Sequence, residues 1–260
     1  MRFRPCIDIH NGKVKQIVGG SLLDQDNQAE ENYVSEQDAA YFAKLYKNSG
    51  LTGGHVIILN PEGSEYYPAD VEQAKLALSA YPGGLQIGGG IHAGNAKTFL
   101  DYGASHVIVT SYVFQDGQIR YDRIQELVKQ VGRKHLVLDL SCRKRDGEYY
   151  IVTNRWQTFT NEVVSTELLD RLSGCCDEFL IHAVDAEGKA SGIEQELARL
   201  LGAWNGLPVT YAGGVGTYEH LQQLKELGQG RLDVTIGSAL NLFGGPMKYE
   251  DVLAFMDKRQ

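Results

Sequence analysis

The sequence predicts an α/β fold, a (β/α)8 barrel built from two similar half-barrels. Eight short β-rich apolar runs recur along the 260 residues, and segments of helical periodicity separate most of them. Alternating strands and helices are typical of parallel sheets, and eight repeats in about 250 residues fit a closed barrel better than an open doubly wound sheet. Because no linker-like stretch interrupts the alternation, we expect one domain over residues 1–260.

The predicted strands are four to seven residues long and rich in Val, Ile, Leu and Phe. They are FRPCIDI (3–9), GHVIILN (54–60), LQIG (85–88), HVIVT (106–110), HLVLDL (135–140), EFLIHA (178–183), LPVTYA (207–212) and LDVTIG (232–237). Segments between them space apolar residues three and four apart, and several end in a glycine that suits a helix C-cap. The clearest are DAAYFAKLYKNSG (38–50), YDRIQELVKQVG (121–132), TELLDRLSG (166–174) and YEHLQQLKELG (218–228).

Two long insertions depart from this alternation. Residues 10–35 follow the first predicted strand, and residues 141–164 follow the fifth. Loops of this length in a compact domain are often functional. We therefore expect both insertions to contribute to a site.

Composition excludes several classes of protein. The formal net charge is −8 at pH 7, which disfavours the basic face that nucleic acid or anionic lipid requires. No run of about 18 apolar residues occurs, and the charged start MRFRPCIDIH lacks the apolar stretch of a secretory signal. We expect a cytoplasmic protein that binds neither nucleic acid nor a membrane.

The four cysteines are interpreted as reduced, structural thiols. Their spacing is not that of a zinc site, and four are too few for a disulfide framework in a chain of 260 residues. They are Cys6, Cys142, Cys175 and Cys176. A chemical role is kept as an alternative for Cys142 alone, since it lies three residues past an acidic strand end.

The two halves of the sequence repeat the same features in the same order. The first and fifth strands end near Asp8 and Asp139, and glycine clusters follow the third and seventh strands. Counterparts lie 125 to 131 residues apart (89 to 214, 8 to 139). Because the carboxyl ends of all barrel strands meet at one face, these features would cluster at the barrel mouth. The repeat predicts two anion sites flanking two carboxylates, which suits an elongated substrate with a phosphate at each end.

Asp8 and Asp139 are the candidate catalytic residues. A carboxylate at the end of an apolar strand is costly to bury unless it is used or paired. Asp8 could instead accept hydrogen bonds from loop amides, and Asp139 could be an ion-pair partner of Arg143 or Lys144. Two carboxylates on opposite sides of one pocket can divide acid and base work if their surroundings separate their pKa values.

The glycine clusters predict two phosphate-binding loops. Backbone N–H groups and hydroxyls at a helix start bind anions, although tight turns and close packing would also explain the glycines. Neither loop holds an obvious Lys or Arg, so binding would depend on amides and dipoles. The predicted ligands are Gly89, Gly90, Thr110 and Ser111 in the first half and Gly213, Gly214, Gly237 and Ser238 in the second. Gly20 and Arg143, in the two insertions, are further predicted substrate contacts.

Other polar and aromatic residues have alternative interpretations. Trp156, in NRWQTFT, is either the hydrophobic plug of a hairpin or an aromatic lid over a flat substrate ring. His55 and His182 lie on the second and sixth strands and are interpreted as satisfied polar residues. Asp185 and Glu187 follow the sixth strand in HAVDAEG and are reserve candidates for the acid.

Eight motifs, taken in order, resemble the ProFAR isomerase family of histidine biosynthesis in its eukaryotic-type branch. They are CIDIHNGKVKQIVGG, LQIGGGI, VIVTS, LVLDLSCRK, NRWQT, EFLIHAVDAEG, VTYAGGV and TIGSAL, and they span nearly the whole chain. The resemblance implies a (β/α)8 barrel without metal or organic cofactor. It also implies an Amadori rearrangement, in which an aminoaldose, phosphoribosylformimino-AICAR phosphate (ProFAR), becomes an aminoketose.

The resemblance further implies acid and base roles for Asp8 and Asp139, and stacking of Trp156 on the substrate. We assign the base at C2 to Asp8 and the acid at the ring oxygen to Asp139. The expected partner is a small-molecule bisphosphate substrate, and the chain is expected to be a monomer.

Two alternative functions stay open. The cyclase subunit of imidazole glycerol phosphate synthase shares the plan of two acids and two phosphates but needs ammonia from a glutaminase partner. Its first loop typically contains a KGTNF-like stretch where this chain reads KQIVGGS, which favours the isomerase. A non-catalytic barrel that binds a bisphosphate is the second alternative, and the presence of both acids disfavours it.

Overall fold

The computed structural model describes residues 1–17, 31–186 and 192–257. In these segments the strands are β1 (Cys6–His10), β2 (Lys13–Ile17), β3 (Glu31–Val34), β4 (Gly54–Ile58), β5 (Leu85–Gly88), β6 (Val107–Val109), β7 (Phe114–Gln115), β8 (Gln118–Ile119), β9 (Leu136–Asp139), β10 (Cys142–Arg145), β11 (Glu148–Thr153), β12 (Thr158–Val163), β13 (Glu178–His182), β14 (Val209–Ala212) and β15 (Asp233–Thr235). The helices are α1 (Ala39–Asn48), α2 (Tyr67–Ala80), α3 (Ala96–Asp101), α4 (Tyr121–Val131), α5 (Thr166–Ser173), α6 (Gln195–Ala203), α7 (Tyr218–Leu227) and α8 (Tyr249–Asp257).

Eight parallel strands form the barrel, in the order β1, β4, β5, β6, β9, β13, β14 and β15, and one of the eight helices follows each of them. The barrel closes where the chain before β1 meets β15. The Arg4 amide donates to the Val234 carbonyl at 2.8 Å, and the Val234 amide donates to the Arg2 carbonyl at 2.9 Å. All eight strands overlap the runs predicted from the sequence, and the (β/α)8 prediction is confirmed. That the whole chain, residues 1–260, is one domain stays a prediction.

The four helices predicted most clearly are α1, α4, α5 and α7. Side-chain caps begin three of them: Asp38, Ser165 and Thr217 accept hydrogen bonds from backbone amides of the first turn. The glycine at the end of α4, Gly132, has φ of +79°, a conformation that other residues rarely adopt. None of the helices in the described segments is both long enough and apolar enough to cross a membrane.

Both insertions contain antiparallel strands. The described part of the first adds β2 and β3 to the edge of the barrel sheet beside β1. The second forms a separate three-stranded sheet, β10–β11–β12, whose β11–β12 turn spans residues 154–157. The second insertion and the described part of the first thus form antiparallel strands that follow the two strands carrying the predicted acids.

Buried charges close the amino-terminal end of the barrel. Arg4 Nη2 lies 2.9 Å from carboxylate oxygens of both Glu178 and Asp233. Gln86 and Thr210 donate to the same glutamate at 3.0 and 3.3 Å. Above this network a small apolar layer fills the interior, made of Ile57, Ile108, Val137, Leu180 and Ala212. Since this end is filled by paired charges, the open space lies at the carboxyl ends of the strands, where active sites of this fold occur.

Candidate active site

A cavity of about 790 Å³ opens at the carboxyl ends of the barrel strands. Its size is within the usual range for small-molecule sites, about 300–1,000 Å³. The predicted site residues that line it are Asp8, Gly89, Gly90, Thr110, Ser111, Asp139, Trp156, Gly213, Gly214, Gly237 and Ser238. The topology therefore brings together features that are separated by more than 200 residues in the sequence, as the half-barrel repeat predicts.

Asp139, the last residue of β9, is buried and hydrogen-bonded by two hydroxyls. Thr110 Oγ1 donates to Oδ2 at 2.9 Å, and Ser141 Oγ lies 2.9 and 3.0 Å from the two carboxylate oxygens. Burial raises the pKa of Asp139, although His182 and both hydroxyls act in the opposite direction. A raised pKa keeps the carboxyl protonated to higher pH, which suits a general acid.

Asp8, in the middle of β1, lies in a more polar setting. Its side chain is half-buried, and Gln16 Nε2 donates to its Oδ2 at 3.0 Å. The two carboxyls thus differ in their surroundings, which is the condition for dividing acid and base work.

The ion-pair interpretation of Asp139 is wrong. Arg143 Nε donates to Asp185 at 2.8 Å, and Lys144 Nζ contacts Glu196. Arg143 and Asp185 lie outside the residues that line the cavity, so the geometry does not support a substrate contact for Arg143 or an acid role for Asp185. The other reserve acid, Glu187, and the predicted contact Gly20 lie outside the described residues.

Trp156 lies at the tip of the β11–β12 hairpin and faces the cavity. Its indole Nε1 donates to Ser141 Oγ at 3.2 Å, and its ring lies 5.1 Å from the His182 ring in an edge-to-face arrangement. Asn154, Arg155 and Trp156 all have positive φ, from 51° to 67°. Such conformations cost about 1–3 kcal/mol each outside glycine and concentrate at functional sites. This position favours the lid interpretation over the plug.

Packing alone explains part of the glycine clusters. Gly89 has φ of +96°, and a Cβ there would lie 1.9 Å from the Ile58 carbonyl oxygen. Gly213 has φ of +111°, and its Cβ would lie 2.6 Å from the Ala183 oxygen. By these contacts Gly89 in the first half-barrel corresponds to Gly213 in the second. The repeat in the sequence had instead matched Gly89 with Gly214. Close backbone approach requires glycine here whether or not an anion binds.

Two positions of the first half, Gly90 and Ser111, line the cavity. Gly90 has φ of +68° and nothing within 4 Å of the place where a Cβ would be. Ser111 begins a short 3-10 turn, and its Oγ accepts from the Asn154 amide at 3.0 Å, which ties the hairpin tip to the first loop. The Thr110 hydroxyl donates to the Asp139 carboxylate and is therefore already used within the protein.

Sequence reasoning missed three residues around the cavity. His182 is the last residue of β13, and its ring packs edge-to-face on the ring of Trp156. Its electrostatic interaction with Asp139 lowers the pKa of that carboxyl. Ser141 follows Asp139 by two residues, and this spacing in an extended chain was the available signal for a shared face. Arg155 also lines the cavity, and its guanidinium is a cation that the glycine loops themselves lack.

None of the four cysteines forms a disulfide bond. Cys142 is buried, and burial raises the pKa of its thiol well above the ordinary value. A protonated, buried thiol is a poor nucleophile. The structure therefore favours a structural role for Cys142, as it does for Cys176, whose pKa burial raises to about 12.

Fold and site together define a (β/α)8-barrel enzyme with two unlike carboxyls between paired glycine loops. The chain belongs to a family described as "Histidine biosynthesis protein", whose model matches residues 2–245. The resemblance seen in the sequence motifs is thereby confirmed.

Similar proteins from plants and fungi cover nearly the whole chain. One from Medicago truncatula is 49% identical over 264 residues, covering 100% of this chain and 83% of its own length. One from Yarrowia lipolytica is 46% identical over 266 residues, covering 99% and 98%. One from Saccharomyces cerevisiae is 39% identical over 266 residues, covering 99% of each. All three are named 1-(5-phosphoribosyl)-5-((5-phosphoribosylamino)methylideneamino)imidazole-4-carboxamide isomerase, and the first name adds "chloroplastic".

Proposed function

We propose that this chain is the isomerase that converts the aminoaldose ProFAR into its aminoketose in histidine biosynthesis. The observation that carries the proposal is one cavity lined by Asp8 and Asp139 in unlike surroundings, between two glycine loops. The names of relatives up to 49% identical over the full chain support the same reaction. No metal or organic cofactor is required by this chemistry.

The reaction needs one proton donor and one proton acceptor. Asp139 protonates the furanose ring oxygen while the C1–O bond breaks, leaving a protonated imine between C1 and the amine nitrogen. Asp8 then removes the proton from C2, and the electron pair of that C–H bond forms the enamine. Protonation of C1 and loss of the C2 hydroxyl proton give the ketone. The raised pKa of Asp139 supports its assignment as the acid.

The two glycine loops hold the substrate at its ends. We place one phosphate at Gly89, Gly90 and Ser111, and the other at Gly214, Gly237 and Ser238. Arg155 adds a positive charge at the mouth. Anchoring both ends keeps a long, flexible substrate in reactive geometry, so that binding energy from remote groups is used at C1 and C2. Trp156 covers the reacting part by stacking.

We further propose that the chain acts as a monomer in the cytoplasm and binds no nucleic acid or membrane. The net charge of −8 supports the absence of such partners. The name of the Medicago truncatula relative places that protein in the chloroplast. Fractionation of the native organism and light scattering of the purified chain test the compartment and the oligomeric state.

Incubation of the purified chain with ProFAR tests the function directly. We expect the absorbance change of ring opening without any ammonia source, and the aminoketose as the product. A requirement for ammonia and formation of an imidazole phosphate would instead identify the cyclase. Binding without turnover would identify a non-catalytic bisphosphate-binding barrel.

A further inference from the structure

Three unlike donor side chains meet at the base of the cavity. Cys6 and Asp8 are two residues apart on β1, and parallel pairing of β1 with β4 sets His55 opposite Cys6. All three line the cavity. One ligand atom from each, a sulfur, a carboxylate oxygen and an imidazole nitrogen, lies within 4.8 Å of the other two.

This donor set matches a thiophilic divalent ion. Zinc is bound by thiolate, imidazole and carboxylate at about 2.0–2.3 Å in tetrahedral geometry, which separates ligand atoms by about 3.3–3.8 Å. Distances up to 4.8 Å therefore need a contraction of about 1 Å, within the reach of side-chain rotation. One thiolate and one carboxylate balance the charge of the ion, and the neutral imidazole adds the third bond.

The surroundings leave a fourth coordination position. The Gln16 amide nitrogen lies 3.8 Å from Cys6 Sγ and 3.0 Å from Asp8 Oδ2, so this side chain borders the cluster. Rotation of the amide by half a turn would present its oxygen instead, and water from the cavity is the other source of a fourth ligand. A Cβ at Gly237 would lie 2.4 Å from Gln16 Oε1 and 3.3 Å from Cys6 Sγ, so glycine there gives the Gln16 amide room beside the cluster.

We propose that Cys6, Asp8 and His55 form a binding site for a thiophilic divalent transition-metal ion such as Zn²⁺, and that the bound ion inhibits the enzyme. Binding needs only these three side chains. Inhibition rests on the function proposed above, because a metal-bound Asp8 carboxylate is not free to accept the C2 proton. The ion is thus a reversible inhibitor and has no part in turnover.

Cobalt titration of the chelator-treated full chain tests the site without any assay of activity. We expect one equivalent of Co²⁺ to bind and to give a thiolate-to-cobalt charge-transfer band. Cys6→Ser should abolish that band and weaken Co²⁺ binding by at least about 10–100-fold, which is the loss typical when a residue that only supports a metal ligand is substituted. Cys175→Ser, which alters a partly exposed thiol outside the cavity lining, is the matched control and should keep both.

A second variant keeps the proposal falsifiable if Cys6→Ser does not fold. His55→Gln retains the thiolate, so its charge-transfer band should remain while the affinity falls. The site is overturned if the wild-type chain gives no such band, if the band survives in folded Cys6→Ser, or if it disappears in Cys175→Ser.

Inhibition is measured separately on the same preparations. One equivalent of Zn²⁺ should suppress ProFAR turnover by the wild-type chain and by Cys175→Ser, and excess chelator should restore it. An active chain that binds one Co²⁺ but ignores Zn²⁺ overturns the inhibitory part. A chain that binds Co²⁺ but has no metal-free turnover refutes the proposed function and leaves the metal site standing.

Discussion

Asp139 and Asp8 differ in what surrounds each carboxyl. Asp139 is 9% exposed and depends on the hydroxyls of Thr110 and Ser141, whereas Asp8 is half-buried beside Gln16. Desolvation is the largest effect on Asp139 and raises the pKa of its carboxyl. This difference supports the proposed roles of Asp139 as the acid and Asp8 as the base.

Asp8→Asn and Asp139→Asn should each lower kcat by at least about 10²–10⁴-fold with little change in KM, because Asn keeps the shape of the side chain but exchanges no proton. Steady-state kinetics on ProFAR measure both. Asp185→Asn is the control, since Asp185 pairs with Arg143 outside the cavity lining. If Asp139→Asn keeps a near-normal kcat while Asp185→Asn or Glu187→Gln loses it, the acid belongs to the sixth-strand loop.

Asp139→Asn should also stabilise the fold at neutral pH. The folded pKa of Asp139 is raised above its ordinary value of 3.8, so between these two values the folded chain binds more protons than the unfolded chain. Stability therefore falls as pH rises through that window, and the loss persists above it. The neutral Asn escapes this cost, and both neighbouring hydroxyls can accept from its amide.

Urea unfolding at several pH values checks this prediction. The variant should be more stable than the wild type at pH 8, and the difference should shrink towards pH 4. If Asp139→Asn lowered the free energy of unfolding equally at every pH, then hydrogen bonding of Asp139, and not its desolvation, would determine the effect of the substitution on stability.

At the scale of elements, the β11–β12 hairpin determines what covers the cavity. Three consecutive residues with positive φ turn its tip over the mouth and bring Trp156 to Ser141 and His182. The Asn154 amide binds Ser111, so the tip is also fixed to the first glycine loop. The hairpin thus links the acid, the lid and one predicted phosphate site in a single element.

Trp156→Ala should raise KM and lower kcat/KM, because stacking of an aromatic side chain on a substrate base contributes about 1–3 kcal/mol. Thermal unfolding should change little, since the side chain is only partly buried. Trp204→Phe is a matched control at the other end of the barrel, where Trp204 packs on Phe179 and donates to Asp170. Unchanged kinetics, or a collapse in the melting temperature of Trp156→Ala, would restore the plug interpretation.

At the scale of the whole molecule, the barrel separates stability from chemistry along its axis. The Arg4 network fills the amino-terminal end, and the two-fold repeat of glycine loops surrounds the opposite end. This arrangement depends on closure of the barrel by the residues before β1, where the backbones of Arg2 and Arg4 form hydrogen bonds with the backbone of Val234.

Arg4→Met should destabilise the fold by about 3–5 kcal/mol, because it removes the buried cation from the Glu178 carboxylate and leaves Asp233 with Arg2, whose side chain is 54% exposed. Calorimetry should show a melting temperature lower by several degrees, while kcat and KM below the transition stay unchanged. Arg171→Met removes an exposed pair with Glu162 and should cost under about 1 kcal/mol. Equal effects of the two substitutions would contradict the importance of burial.

Sulfate soaking of crystals should place two anions at the barrel mouth, one at each glycine loop, because the half-barrel repeat presents amides at both. The expected contacts are Gly89, Gly90 and Ser111 at one site and Gly214, Gly237 and Ser238 at the other. Density at only one loop would remove the argument for a substrate with two phosphate ends.

Local sequence pattern determined the eight strands, the four clearest helices and the acids near the ends of two predicted strands. Alternation of strand and helix sets the fold class, and residues at strand ends must reach the barrel mouth whatever the details of packing. Most predicted site residues therefore line the cavity in the structure. The same pattern did not predict the hydrogen-bond and packing partners of those residues.

Only the tertiary structure decided the partners. It gave Asp139 its hydroxyls from Thr110 and Ser141, paired Arg143 with Asp185, and brought His182 to Trp156. These contacts join residues up to 42 positions apart and depend on strand register and on a turn with positive φ. Residue spacing encodes the direction of a side chain along its own strand, but its neighbour across strands is set by how the closed barrel curves.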